Sequence, residues 1–288
     1  MIVTRFAPSP TGFLHIGHAY AALTAFDTAM RQRGRFLLRI EDIDRGRCRP
    51  EFEAAIYDDL AWLGLQWEKP VRRQSEHFGD YAAALEKLRD RGLLYPCFCT
   101  RKDIADEIAR AAIAPQASDI GPDGPLYPGT CRGLSEASRT RRLEQGTPYA
   151  LRLDVSQALK QLPRSLTFEE RGSGPDRETG VQAVRPELVG DVVLARKELP
   201  ASYHLAVVLD DALQDVTLVT RGEDLFHATH IQRLLQALLD LPEPAYAHHR
   251  LIRDASGRKF SKRDSSVTLS SLRQAGATPS SIRTMIGL

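Results

Sequence analysis

Long hydrophobic runs are absent from this chain of 288 residues. No apolar stretch approaches the roughly 18 residues that a membrane-spanning helix requires. Met1 leads directly into the strand-like sequence IVTRF, and not into the basic and then apolar segment of a signal peptide. We therefore expect a cytoplasmic protein without a membrane partner. The apolar residues, at 42%, still suffice for one large α/β core or two smaller ones, so disorder is not predicted.

Cysteine is also scarce, with four residues in the chain. Cys97, Cys99 and Cys131 fall close together, whereas Cys48 stands apart and is interpreted as a structurally incidental thiol. So few cysteines in a chain of this length argue against a disulfide framework and fit a metal site in a reducing compartment better. Three reduced thiols without a metal are the alternative.

The net charge is small, +2 at pH 7, and does not by itself indicate nucleic-acid binding. Positive charge is concentrated between residues 250 and 263, where Asp254 is the single acidic residue. A loop that binds an anion and a solvated basic loop are both consistent with this pattern. The basic residues of the segment are Arg250, Arg253, Arg258, Lys259, Lys262 and Arg263.

The first third of the chain alternates strands and helices, as expected for a parallel sheet covered by crossover helices. Two β-type runs, at residues 2–6 and 35–40, flank a segment with Leu23, Phe26 and Met30 at helical spacing. Gly34 stands where a left-handed helix cap is favoured. The pattern predicts a βαβ unit, followed by two helices with apolar stripes at residues 52–63 and 81–88.

The sequence changes in character at about residue 95, where cysteines, an Ala/Pro/Gly-rich stretch and a mixed basic segment begin. The strand-like run ELVGDVVLAR and the segments YHLAVVLDD and VTLVTRGEDL come after residue 186 and resemble a sheet that resumes. We interpret residues 1–94 and 187–249 as two halves of a Rossmann-type catalytic domain with a parallel sheet. Residues 95–186 would form an inserted α/β subdomain, and residues 250–288 a functional loop and a short helical C-terminus.

The sequence RFAPSPTGFLHIGH, at residues 5–18, is suited to a phosphate-binding turn and helix start. Gly12 and Gly17 let a ligand approach the backbone, and unpaired N–H groups at a helix start favour phosphate oxygens. His15 and His18 are three positions apart, so on a helix both imidazoles face one side and could donate to a phosphate that gains negative charge. Two polar residues at a helix cap are the alternative.

RFAPSPTGFLHIGH resembles the HIGH signature of class I aminoacyl-tRNA synthetases, in the form typical of glutamyl-tRNA synthetases. KFSKR, at residues 259–263, is similar to the KMSKS loop of the same class. The blocks RIEDID, at 39–44, YHLAVVLDD, at 203–211, and TRGEDL, at 220–225, also match the glutamyl branch. The motifs keep the order of the family, and the resemblance covers nearly the whole chain.

The resemblance implies activation of glutamate by ATP, with pyrophosphate as the leaving group and an acyl-adenylate as the product. Catalysis is then mainly positioning and charge stabilisation. The two histidines would act at the α-phosphate, the two lysines would lie on a loop that closes over the β- and γ-phosphates, and Mg²⁺ would accompany ATP. The implied ATP-binding residues are His15, Gly17, His18, Lys259, Ser261 and Lys262.

Selection of glutamate requires a cation for its side-chain carboxylate and an anion for its α-ammonium, because each would otherwise be desolvated without a partner. Arg5 and Glu41 fit these needs, although a surface ion pair between them and a core position for Tyr203 are the alternatives. The glutaminyl branch, the nearest rival, typically carries RFPPEPNG, so RFAPSPTG favours glutamate. The positions that match amino-acid contacts in the glutamyl family are Arg5, Phe6, Ala7, Pro8, Ser9, Glu41, Tyr203 and Arg221.

Cys97 and Cys99 form a C-x-C motif, and Tyr127 and Cys131 form a Y-x-x-x-C motif. Three thiolates bind Zn²⁺ strongly, and an oxygen ligand could complete a tetrahedron. Bacterial glutamyl-queuosine tRNA(Asp) synthetases show the same arrangement in their inserted domain. The resemblance therefore implies one structural zinc per chain.

The acceptor is suggested by the short segment after KFSKR. Residues 264–288 suffice for one or two short helices, but not for the anticodon-binding region of a discriminating synthetase. In length and zinc pattern the chain is most similar to the glutamyl-Q tRNA(Asp) synthetase family, which activates glutamate without tRNA and transfers it to queuosine at the wobble position. The implied partners are ATP, L-glutamate and queuosine-containing tRNA(Asp), and no obligate protein partner is evident.

Two other functions share these motifs. A truncated glutamyl-tRNA synthetase would charge the 3′ end of tRNA(Glu), and a non-catalytic tRNA-binding paralogue would be expected to lose His15, His18 or Lys262, which are all present. Single-stranded loop bases of RNA can be splayed out and read individually. The candidate RNA-contact residues are the basic run near residue 250 and Arg132, Arg139, Arg141 and Arg142.

Overall fold

The computed structural model describes residues 1–100, 102–106, 120–121, 124–162, 165–196, 198–253 and 267–288. The motif KFSKR, with Lys259, Ser261 and Lys262, lies outside these described residues.

The predicted βαβ unit is present at the start of the chain. β1 (Val3–Phe6) pairs in parallel with β2 (Arg35–Ile40), and α1 (Ile16–Arg31) connects them. The helix ends before the expected glycine cap, because the left-handed backbone falls at Arg33, with φ 50°. Gly34 is required for another reason, since a Cβ there would lie 2.2 Å from the backbone oxygen of Ile2, just before β1.

Further elements lie along the chain. The later helices are α2 (Pro50–Trp62), α3 (Phe78–Asp90), α4 (Glu136–Glu144), α5 (Val155–Lys160), α6 (Tyr203–Leu213), α7 (Ala228–Leu238), α8 (Leu269–Gln274) and α9 (Pro279–Ile286). The later strands are β3 (Arg72–Arg73), β4 (Leu94–Cys97), β5 (Ile120–Gly121), β6 (Gly124–Pro125), β7 (Ala150–Leu153), β8 (Thr167–Glu170), β9 (Gly180–Ala183), β10 (Val193–Arg196), β11 (Leu218–Gly222) and β12 (Ala245–His249).

Parallel strands form two neighbouring sheets. One sheet has the order β1-β2-β3, and the other has the order β11-β12-β8-β9, in which β11, β12 and β8 are parallel and β9 is antiparallel. The backbone N–H of Thr217, just before β11, donates to the backbone oxygen of Val3 at 3.0 Å, so the two sheets meet beside β1. The predicted α/β fold with a parallel sheet is therefore present.

The second sheet contains strands that the sequence analysis placed elsewhere. Tyr246 of β12 lies in register with Glu170 of β8. Residues 167–183 were expected within the inserted subdomain, yet they extend the sheet that β11 and β12 build. The strand pairing thus connects this part of the proposed insertion directly to the second half of the proposed catalytic domain.

A third sheet is antiparallel, with the order β10-β7-β4. β10 was expected to resume the parallel sheet, but it pairs with β7, on the side of the cysteine motif. The run YHLAVVLDD was also grouped with the resuming sheet, and it forms the helix α6 instead. Ser202 caps this helix by accepting a hydrogen bond from the backbone N–H of Leu205, which fixes the helical start.

Two large apolar clusters stabilise the fold. The first packs α1 against α2, β2 and the two C-terminal helices, with Leu23, Leu60 and Ile282 fully buried. The second packs α3 against α6 and α7, with Tyr81, Leu205 and Leu234 fully buried.

Among the described residues, no helix has both the length and the apolarity needed to cross a membrane.

Candidate active site

His15 and His18 lie together at the start of α1. His15 is the N-cap residue, and its Nδ1 accepts a hydrogen bond from the backbone N–H of Gly17 at 3.1 Å. His18 completes a reciprocal capping pair, because its Nδ1 accepts a hydrogen bond from the backbone N–H of His15 at 3.2 Å. The two ring centroids are 3.8 Å apart, so the spacing of three residues places the imidazoles side by side as expected.

The capping geometry fixes the tautomer of both rings. Because each Nδ1 accepts a hydrogen bond, the proton of each neutral imidazole resides on Nε2, which is therefore a donor. Two N–H donors at a helix N-terminus, where the helix dipole also favours negative charge, suit a phosphate. Helix capping and phosphate binding are therefore compatible roles for the same two side chains.

The chain returns to this helix start immediately after the segment that is not described. Thr268 forms an antiparallel bridge with His15, and the backbone N–H of Leu269 donates to the oxygen of Leu14 at 2.8 Å. This contact joins the C-terminal helices to the start of the helix that carries the two histidines.

A cavity of about 770 Å³ opens beside the loop after β1, within the size range of small-molecule sites. Ser9, Glu41 and Tyr203 line it on one side. Tyr127 and Arg152 line it on the side of the third sheet. The cavity thus connects the predicted amino-acid contacts with the cysteine motif.

The rest of the RFAPS block lies at the end of β1. Phe6 is buried in the core, Ala7 is half-buried, and Pro8 is buried with its backbone oxygen accepting from the N–H of Glu41 at 3.0 Å. This contact joins the loop after β1 to the loop after β2. The two blocks that the sequence analysis assigned to glutamate are therefore adjacent in the structure.

Arg5 is buried and has a carboxylate partner already. Its Nε and Nη2 donate to the two carboxylate oxygens of Asp211 at 3.0 and 3.2 Å, and its Nη1 donates to the backbone oxygen of Thr220 at 3.3 Å. Arg39 also donates to Asp211, at 2.8 Å. The alternative of a surface pair between Arg5 and Glu41 does not hold, because Asp211 is the carboxylate partner of Arg5 and the guanidinium is buried.

Glu41 lies within the same charged cluster. Burial raises the pKa of its carboxyl, although Arg39, which donates to it at 3.2 Å, and Arg5 act in the opposite direction. A cation entering the cavity would favour the ionised carboxylate. Glu41 therefore has the burial and the charge that binding of an ammonium group requires.

Arg221 differs from Arg5 in its partners. It is 5% exposed, and it donates to His248 Nε2 at 3.0 Å, Gln232 Oε1 at 2.7 Å and Thr229 Oγ1 at 2.6 Å. A longer contact of 3.5 Å reaches the hydroxyl of Tyr203, which lines the cavity. In the part of the chain that the structure describes, no carboxylate forms an ion pair with this guanidinium, so its charge lacks direct compensation.

The cysteine motif forms a compact group. The sulfurs of Cys97, Cys99 and Cys131 all lie within 4.8 Å of one another. The Tyr127 hydroxyl is 3.4 Å from Cys97 Sγ and 3.6 Å from Cys99 Sγ, and it accepts from the backbone N–H of Cys131 at 2.8 Å. Ligands about 2.3 Å from a tetrahedral ion lie about 3.8 Å apart. The four groups therefore fit a metal ion.

Arg152 lies against this group. Its guanidinium is 3.8 Å from the centre of the Tyr127 ring. Burial raises the pKa of the Cys97 thiol, but hydrogen bonds from Tyr127 and Arg152 outweigh that effect, so the pKa is lowered overall. A lowered pKa favours the thiolate of Cys97, which is the form that binds metal, whereas burial raises the pKa of the Cys99 thiol to about 12.

The whole chain, residues 1–288, matches the family described as tRNA synthetases class I (E and Q), catalytic domain. The chain belongs to this synthetase family. The class I synthetase motifs at both ends of the sequence, and the parallel α/β fold between them, agree with that membership.

Individual relatives within the synthetase family carry two different names, and their identity to this chain differs. The chain is 51% identical to the Rhodobacter capsulatus glutamyl-Q tRNA(Asp) synthetase, and the match covers 100% of both chains. It is 42% identical to the protein of the same name from Nocardia farcinica, over 98% of this chain and 82% of the relative. The Hydrogenobaculum glutamate–tRNA ligase is 36% identical, over 98% of this chain but 57% of its own length.

Solved synthetase structures share the fold. The chain superimposes on a glutamate tRNA ligase from Elizabethkingia meningosepticum, in complex with its amino acid, with a TM-score of 0.73 and 28% identity. The alignment covers 91% of this chain and 52% of that structure. The chain thus spans about half the length of the solved ligase.

The synthetase site contains residues to which the sequence analysis gave no role. Arg39 and Asp211 occur in the RIEDID and YHLAVVLDD blocks, and a charged residue inside an apolar run was the available signal for both. Glu170 and His248 are buried beside Arg221, and the sequence offered no signal for either. Their importance emerges only from the strand pairing.

Proposed function

We propose that this chain activates L-glutamate with ATP, in the absence of tRNA, and transfers it to the queuosine at the wobble position of tRNA(Asp). The single observation that carries the amino-acid assignment is Arg221, a buried cation whose partners among the described residues are neutral. A substrate carboxylate would supply the missing negative charge. Glu41 supplies an anion for the α-ammonium, and Tyr203 contacts the substrate from the same cavity.

We expect Arg5 and Arg221 to attract the substrate carboxylate to different degrees. Arg5 shares the carboxylate of Asp211, and it retains N–H groups that can still contact glutamate. Arg221 therefore provides the main attraction for the substrate side chain, and Arg5 mainly helps to shape the pocket with Phe6, Ala7, Pro8 and Ser9. The sequence-based expectation instead named Arg5 as the cation that binds the substrate side-chain carboxylate.

Catalysis in this proposal depends on charge stabilisation at ATP. The Nε2–H groups of His15 and His18 donate to the α-phosphate as it gains charge, and Gly17 leaves space beside them. Lys259 and Lys262, with support from Ser261, act on the β- and γ-phosphates in this proposal. Mg²⁺ bound to the phosphates offsets their mutual repulsion.

The acceptor assignment is supported by the relatives. Glutamyl-Q tRNA(Asp) synthetase is the name of the 51%, 42% and two 39% identical relatives. Transfer to the 3′ end of tRNA(Glu) is the second candidate, because glutamate–tRNA ligases are 36% identical over nearly all of this chain. The exposed arginines of α4, Arg141 and Arg142, together with Arg132 and the less exposed Arg139, are proposed RNA contacts.

The activation step is tested by ATP–pyrophosphate exchange without tRNA. Glutamate should support exchange, whereas glutamine and aspartate should support little, because one lacks the charge and the other lacks the length to reach both Arg221 and Glu41. Exchange that requires tRNA, or equal exchange with glutamine, would exclude the proposed activation. The acceptor is then measured with labelled glutamate and tRNA(Asp) prepared with and without queuosine.

The raised pKa of Glu41 predicts a pH dependence. The carboxylate form is needed to hold the α-ammonium, so glutamate binding is present above the pKa and is lost as the pH falls through it. We expect the KM for glutamate to increase on acidification at a higher pH than an ordinary carboxyl group would give. Glu41→Gln should raise the KM for glutamate at neutral pH, and the further increase on acidification should disappear. A mutant profile parallel to that of the wild type would contradict the role of Glu41.

Zinc is the metal that we propose for Cys97, Cys99, Tyr127 and Cys131. Metal analysis should find about one equivalent, and Cys131→Ser should lower the Tm by about 5 °C or more, because lost metal binding is lost folding free energy. Cys48→Ser is the matched control and should change neither quantity. Less than about half an equivalent of zinc, with all four thiols titratable, would contradict the site.

A further inference from the structure

Glu170, His248 and Arg221 form a buried chain of hydrogen bonds that crosses three strands. Glu170 ends β8, His248 lies in β12, and Arg221 lies in β11, in register with His248. All three residues are at most 5% exposed. Register partners on adjacent strands point to the same face of a sheet, so the strand pairing places the imidazole and the guanidinium side by side.

Glu170 fixes the orientation of His248. One oxygen of its carboxylate accepts from the backbone N–H of His248 at 2.9 Å and from that of Gly172 at 2.7 Å. The other oxygen is 2.5 Å from His248 Nδ1. A carboxylate accepts, so Nδ1 carries the proton, and Nε2 is left with the lone pair that accepts from Arg221 Nε at 3.0 Å.

The imidazole is neutral in this arrangement. Burial lowers the pKa of His248 to about 4, although Glu170 acts in the opposite direction. A neutral ring can accept from the guanidinium, whereas a protonated ring would repel it. The geometry and the charge state of His248 are thus consistent with one another.

A neutral histidine between an arginine and a carboxylate affects the arginine differently from a carboxylate in direct contact. Asp211 contacts Arg5 with both oxygens and so compensates its charge at the shortest distance. His248 separates Arg221 from Glu170, which orients the guanidinium but leaves its charge available at contact distance. Thr229 and Gln232 hold the two Nη groups at 2.6 and 2.7 Å without adding charge.

We propose that His248 and Glu170 are positioning residues that orient Arg221 toward the side-chain carboxylate of the amino-acid substrate. This inference rests on the proposed function, because it assigns a purpose to the same pocket. Neither residue contacts the substrate in the proposal. Selection of an amino acid with an acidic side chain then depends on a buried histidine and a buried glutamate as well as on the arginine itself.

The test compares two substitutions at His248 by ATP–pyrophosphate exchange. His248→Leu removes the acceptor for Arg221, whereas His248→Gln offers an amide oxygen in a similar place. We expect His248→Leu to raise the KM for glutamate about tenfold or more, and His248→Gln to stay within about threefold of the wild type. The KM for ATP should stay within about twofold in both variants. Thermal unfolding is measured beside the kinetics.

Several outcomes would overturn the inference. An equal KM for glutamate in the two variants would do so, as would a parallel change in the KM values for glutamate and ATP. If His248→Leu does not fold, Glu170→Gln must show the same preferential rise for glutamate, and an unchanged KM in that variant overturns the inference. Absence of glutamate exchange in the wild type would instead overturn the proposed function, so the two failures are distinguishable.

Discussion

His18→Gln lowers glutamate-dependent pyrophosphate exchange by about 100-fold or more, with little change in stability. Glutamine at the third position of a helix can still accept from the N-cap backbone, so the reciprocal capping that His18 now completes is preserved. The variant loses only the Nε2–H donor. The expected loss therefore falls on kcat, because the hydrogen bond is strongest as charge develops on the α-phosphate.

His15→Asn provides the matched comparison. Asparagine is among the preferred N-cap residues, so α1 should begin at the same place while the imidazole is lost. Both variants should unfold within a few degrees of the wild type and should bind glutamate normally. Near-normal kcat in either variant would show that the corresponding histidine only caps the helix.

Arg221→Gln lowers kcat/KM for glutamate by about 100-fold or more, the second large effect. The substitution removes a buried cation that contacts the cavity-lining Tyr203 and has no carboxylate partner among the described residues, and it leaves a neutral amide. Glutamine as a substrate should lose much less, so the preference for glutamate over glutamine should fall. Arg35→Gln is the control, because Arg35 is half-buried at the protein surface and pairs with Glu68 at 2.7 Å.

A uniform loss for glutamate and glutamine would contradict the role of Arg221 in recognising the substrate charge. A uniform loss would instead indicate that Arg221 mainly stabilises the sheet. Arg221→Lys further distinguishes substrate recognition from a role in sheet stability. Lysine keeps the charge but cannot reproduce the several N–H contacts of the guanidinium. We expect it to retain part of the preference for glutamate.

The local parts of the fold were predictable from the sequence. The βαβ unit arises from two short apolar strands around an amphipathic helix, and the side-by-side placement of His15 and His18 arises from their spacing. Gly34 shows the limit of such reasoning, because its requirement comes from the approach of Ile2 and not from the helix cap.

The long-range parts were not predictable in the same way. β8 joins the parallel sheet through its pairing with β12, and β10 instead joins the sheet of the cysteine motif. A strand-like sequence does not specify its partner, since the same apolar pattern pairs equally well in either sheet. The buried contacts of Glu170 with His248 arise from that pairing, and no local pattern could have indicated them.

The family resemblance predicted which residues lie near the cavity, but it did not predict how their charges are paired. Glu41 and Tyr203 line one cavity, and Arg221 contacts the Tyr203 hydroxyl at 3.5 Å. The partner of Arg5 was not foreseen, because Asp211 is far away in the chain and lies at the end of an apolar helix. Charge compensation inside a protein depends on contacts of this kind, which the order of residues does not show.

The site of glutamate attachment is the most direct test of the central claim. Queuosine-containing tRNA(Asp) is incubated with the protein, ATP and labelled glutamate, digested to nucleosides, and the labelled product is identified by mass spectrometry. We predict label on the queuosine nucleoside of the anticodon loop and no label on tRNA(Asp) that lacks queuosine. Label on the 3′-terminal adenosine, or equal labelling of tRNA(Glu), would contradict the account.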